Sequence, residues 1–66
     1  MIIVNNRDKL QWQEGMTVTD LLGEMNYTFD LITVHVNGTL VPKEDYDEHI
    51  IPDNSAVGVF HLAHGG

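Results

Sequence analysis

Met1 to Val4 is a β-branched apolar run closed by the polar stretch Asn5-Asn6-Arg7-Asp8, and Leu10-Gln11-Trp12-Gln13 alternates apolar with polar. The two read as strands of a hairpin turning around Arg7 and Asp8, with Leu10 and Trp12 on one face and Gln11 and Gln13 towards water. Gly15-Met16 ends the hairpin. Thr17-Val18-Thr19-Asp20 then sets a hydroxyl at an N-cap with a carboxylate three residues on, a variant of the capping box. Val18, Leu21, Leu22 and Met25 follow at i, i+3, i+4 and i+7, one apolar stripe that predicts a helix over 18–25. Gly23 weakens that helix by roughly 1 kcal/mol relative to alanine, and Asn26 is its expected end.

Tyr27 and Phe29 sit in the loop that follows and are expected to cover the core. Ile32-Thr33-Val34-His35-Val36 alternates again, and Asn37-Gly38 is a strong signal for a two-residue primed turn, because both residues tolerate positive φ. Thr39-Leu40-Val41 is the return strand, ended by Pro42, which has no N–H for a ladder. Lys43 to Glu48 reads as one helical turn with Tyr46 inward and the charges solvated. After a turn at Asp53-Asn54-Ser55, Ala56-Val57-Gly58-Val59-Phe60 is apolar without clean alternation, which predicts a central strand buried on both faces.

Hairpin, helix, hairpin, short turn and strand make an α+β chain. The right-handed crossover rule leaves few ways to lay one helix across such a sheet, and the last strand is expected to pair in parallel with the first. This is the ubiquitin-like β-grasp, a mixed five-stranded sheet packed on one helix. Residues 1–61 form the domain and 62–66 a flexible C-terminal tail, Leu62-Ala63-His64-Gly65-Gly66. The expected core is Ile3, Leu21, Leu22, Val34, Val36, Val57 and Val59, with Trp12 partly exposed at the hairpin edge.

Composition narrows the chemistry. A chain of 66 residues buries only about 60% of its unfolded surface, and with no cysteine it has neither disulfides nor thiolate metal ligands. The N-terminus carries no secretory or membrane-spanning pattern, so a cytoplasmic protein is expected. A formal charge of −7 argues against nucleic acid and anionic membranes as partners. The single serine, Ser55, lies in a turn and outside any nucleophile elbow, and the glycines are too scattered to cradle a phosphate. His35, His49, His61 and His64 lack a metal-ligand motif on a rigid element, so neither a metal site nor catalytic residues are expected. What stands out is the end. Gly65-Gly66 has no Cβ atoms, suiting it to a narrow cleft, and its terminal carboxylate is unshielded.

Thr17-Val18 followed by Leu21-Leu22, the block Val34-His35-Val36-Asn37-Gly38 leading to Val41-Pro42-Lys43 and Tyr46, and Gly65-Gly66 at the end together resemble the ThiS family of thiamin sulfur carriers. The resemblance covers nearly the whole chain. It departs from the family's usual pattern at Asp53-Asn54-Ser55, where a Gly-Asp turn is common, and at His64, where a small residue is more usual. It implies that the Gly66 carboxylate is adenylated by an E1-like enzyme using ATP, with no cofactor bound to the carrier itself. The adenylate would then be converted, with sulfur from a donor such as a cysteine desulfurase, to a thiocarboxylate that passes its sulfur to thiazole synthase, with Leu62, Ala63, His64 and Gly65 recognised as the tail. On this reading the chain is a protein cosubstrate and not an enzyme. Sulfur delivery to molybdopterin or an amino-acid precursor, a ubiquitin-like modifier joined to lysines, and a binding module with an incidental tail remain alternatives.

Overall fold

The structure is a computed structural model that describes residues 1–27 and 32–61. Five strands, β1 (Ile2–Val4), β2 (Asp8–Leu10), β3 (Ile32–Val36), β4 (Thr39–Val41) and β5 (Ala56–His61), form one mixed sheet in the order β2-β1-β5-β3-β4. β5 is central. It pairs in parallel with β1 and antiparallel with β3, and both hairpins are antiparallel. Together with α1 (Val18–Glu24), the α-helix of the described residues, this is the β-grasp arrangement that the order of elements predicts.

Local chemistry sets the helix ends. Thr17 Oγ1 accepts from the Asp20 N–H at 3.2 Å while Asp20 Oδ2 accepts from the Thr17 N–H at 3.0 Å, a reciprocal capping box. At the other end Asn26 takes φ +60°, its N–H bonds to Gly23 O, and the Tyr27 N–H bonds to Leu22 O. These two bonds are the Schellman pair, so the helix stops one residue before the expected Met25.

Val18, Leu21 and Leu22 bury against one sheet face, meeting Ile2, Val4, Val34, Val36, Val57 and Val59. Met16, Ile32, Val41, Tyr46 and Ile51 complete the core, and Leu10, Trp12, Met25 and Tyr27 pack at its margin. Trp12 follows β2 and donates its indole N–H to Ile51 O at 2.8 Å, half-buried. Lys43–Asp45 forms a 3-10 turn that carries Tyr46 inward as expected.

Three readings of the sequence need correction. Ile3 is 40% exposed, while Ile2 and Val4 are core. In a run of three apolar residues the inward phase is invisible, and here the register sets Ile3 opposite Ala56, on the face away from the helix. The first turn falls at Asn5-Asn6, with φ +56° and +57° and the Arg7 N–H bonded to Val4 O, so β2 begins at Asp8 and ends before Trp12. Finally, β5 is buried on one face only: Val57 and Val59 point inward, whereas Ala56 and Phe60 are exposed. One seven-residue helix covers one side of the sheet and nothing among the described residues covers the other.

Candidate functional site

Gly66 and the recognition residues Leu62, Ala63, His64 and Gly65 lie outside the described residues, as does Phe29. What the structure describes is the strand that leads to them and its surroundings. β5 is held by neighbours on both flanks along its first half, and by β3 through to the pair Ile32 and His61. Two hairpin asparagines add to the ladders. Asn37, at φ +52°, donates its N–H to Ala56 O and accepts the Ala56 N–H on Oδ1 at 2.9 Å. Asn5 donates its N–H to Val57 O and accepts the Val59 N–H on Oδ1 at 2.8 Å.

The sheet face turned away from α1 exposes apolar side chains, with Lys9 opposite Ile3 and Thr33 opposite Phe60 by register. Ile3, Leu40 and Phe60 are 40%, 55% and 54% exposed, and Ala56, Gly58 and His35 lie among them by register. The Phe60 ring folds back over Gly58 and meets the His35 ring edge-on, centroids 5.6 Å apart. His35 Nδ1 is buried there without a hydrogen-bond partner. The groove along this face is lined by Ile3, Asn5, His35, Ala56, Gly58 and Phe60 among others, and no lining residue carries a formal charge, in a chain of net charge −7. Apolar patches of this kind on small soluble domains mark contacts with other proteins.

Other candidate groups are dispersed. His49 sits on the helix side, where its carbonyl accepts the Val18 N–H, far in the fold from His35 on the open face. His61 closes β5 through its backbone. Among the described residues no three His, Asp or Glu side chains are grouped to hold a metal ion. Ser55 is buried and committed: its hydroxyl donates to Pro52 O at 2.6 Å and accepts from Asn37 Nδ2. No helix among the described residues is long and apolar enough to cross a membrane. Among the described residues, the groove around Phe60 and these dispersed polar groups lie on different parts of the fold.

Sequence reasoning missed two features of this region. The open apolar face was hidden because Ala56, Gly58 and Phe60 make β5 look apolar throughout. Asn5 reads in the sequence as a polar strand end, although Asn5-Asn6 after a β-branched run carries the same positive-φ tolerance as Asn37-Gly38.

A family model described as the ThiS family matches residues 2–66. The sulfur carrier protein ThiS of Escherichia coli (strain K12) is 29% identical over 66 residues, which span 100% of both chains. Among solved structures, a crystal structure of the thiamine biosynthesis protein (ThiS) from Geobacter metallireducens superposes with TM-score 0.79 at 27% identity, over 98% of this chain and 97% of that one. A solution structure of a thiamine biosynthesis protein from the same organism gives TM-score 0.73 at 28% identity, over 98% and 85%.

Proposed function

Since the chain belongs to the ThiS family, we propose that it is a sulfur carrier of thiamin biosynthesis whose working group is the Gly66 carboxylate. The observation that carries this reading is that the family match runs through Gly65 and Gly66, so the similarity includes the end of the chain as well as the β-grasp body. A carboxylate resists substitution because its oxygens are poor leaving groups. Attack of one oxygen on the α-phosphate of ATP, with loss of pyrophosphate, makes an acyl adenylate. Hydrosulfide would displace AMP to leave the thiocarboxylate directly, whereas a donor's persulfide would displace AMP to leave an acyl disulfide, which a thiol then cleaves by attack on the donor's sulfur, releasing the thiocarboxylate and a donor–thiol disulfide. Glycine at this position keeps the carbonyl open to approach from all sides.

The family membership supports a division of labour between this chain and separate enzymes. An E1-like adenylating enzyme supplies the catalysis, a donor such as a cysteine desulfurase the sulfur, and thiazole synthase the acceptor, while this chain serves as a protein cosubstrate. The uncharged groove around Phe60, beside the strand that leads to the tail, supports docking on a partner with an apolar surface, and the net charge of −7 supports a basic rim to that surface. The test is growth. In a host lacking its own carrier, this chain should restore growth without thiamin and the same chain lacking Gly66 should not; growth restored equally by both would sink the proposal.

A further inference from the structure

Of the described residues that line the groove on the open face, His35 is the one whose charge can change near neutral pH. It stands within β3, opposite Gly58 on β5 and Leu40 on β4. Nothing around it is arranged to hold a proton. Nδ1 is buried with no hydrogen-bond partner, and the Phe60 ring closes on the imidazole edge-on, with centroids 5.6 Å apart. By register Ile3, Thr33, Leu40, Gly58 and Phe60 share this face with it, and none of them ionises. The charge that the sheet adds there is Lys9 on β2, a cation, and no strand of the described residues places a carboxylate on this face. A neutral imidazole suits such surroundings. An imidazolium carries an N–H on both nitrogens, and the one on Nδ1 would point at no acceptor. The Phe60 ring offers a cation less than water does. In the free chain His35 is half-buried, so the exposed part of its ring keeps its hydration until something covers the face.

We infer that docking on this face is proton-linked: the partner closes on neutral His35, and a carrier that arrives protonated there gives that proton up to solvent as it binds. The inference rests on the sulfur-carrier reading and takes the adenylating enzyme as the occupant. A second copy of this chain is disfavoured as the cover, because it would bring together two bodies of charge −7, whereas that charge draws in a partner with a basic rim. A basic rim strengthens the linkage, since it sets like charge beside any imidazolium that stays. The bound state favours the uncharged ring, so affinity is full above the range in which imidazoles titrate and is lost as pH falls through it.

The test is the affinity of the full-length chain for the cognate adenylating enzyme at about pH 8 and about pH 5.5, for wild type, His35→Gln, His35→Leu and Phe60→Ala. The enzyme's own titration is common to all four, so each chain is judged by the ratio of its two affinities. In wild type that ratio should exceed the ratio in either His35 variant by about tenfold. Phe60→Ala should weaken binding at both pH values. In wild type the His35 ring carbon signal, which distinguishes imidazole from imidazolium, should move towards the neutral form when the enzyme is added at about pH 6. That measurement needs no variant to fold. Equal ratios in wild type and both His35 variants, a ring signal that the enzyme leaves unchanged, or a Phe60→Ala chain that binds like wild type would overturn the inference and leave the sulfur-carrier reading standing. A wild-type chain that the enzyme neither binds nor adenylates at either pH would overturn that reading itself.

Discussion

A Cβ added at Gly58 would lie 2.9 Å from Phe60 Cε2, so the aromatic ring occupies space that a side chain at Gly58 would contest. The obstacle is the far end of an exposed side chain and not backbone, which makes relief cheap: in Gly58→Ala the ring should swing off the sheet while the fold persists. The measurement is the His35 ring-proton shift, which should lose the ring-current contribution of its edge contact with Phe60. An unchanged shift would show that Gly58 does not set the ring's place. At this scale the sequence was legible where one residue type has one use, as at Asn26 and Asn37, whose positive φ was readable from the asparagine itself. It was not legible at Ile3, because neighbouring Ile2 and Val4 have the same chemistry and only pairing decides which of them points inward.

Among the elements, α1 depends most on its own ends. Seven residues are too few to hold a helix alone, so the capping box, the Schellman turn and the buried stripe act together. Gly23 enters the Schellman turn only through its carbonyl, which any residue would supply; it is exposed, and a Cβ there would meet no atom within 4 Å. Gly23→Ala should therefore stabilise the domain by about 1 kcal/mol, read as a higher thermal midpoint; an unchanged or lower midpoint would mean the backbone at Gly23 is not ordinary helix. The helix was legible because cap, stripe and stop agree over ten residues, Thr17 to Asn26. β5 was legible in position and parallel pairing but not in burial. Alanine and glycine count as apolar wherever they sit, so an exposed face built from Ala56, Gly58 and Phe60 leaves no alternation to detect.

For the molecule as a whole, α1 covers one side of the sheet and nothing among the described residues covers the other, so the packing that stabilises the domain lies on one side. Leu22 is fully buried beneath the covered face, and Leu22→Ala should cost about 2–5 kcal/mol, a large share of a small domain's stability; a chemical unfolding curve like the parent's would refute the packing of α1. The Asn5 bond to Val59 was not legible, because it joins residues 54 apart. The central claim is that this body carries a terminal carboxylate to be exchanged for a thiocarboxylate. Intact-mass analysis after incubation with ATP, the cognate adenylating enzyme and a sulfur donor tests it most directly. The account predicts the gain of one sulfur for one oxygen, confined to the peptide ending in Gly66 and abolished when one residue is added after it. An unchanged mass, or conjugates on the lysines of other proteins in its place, would contradict it.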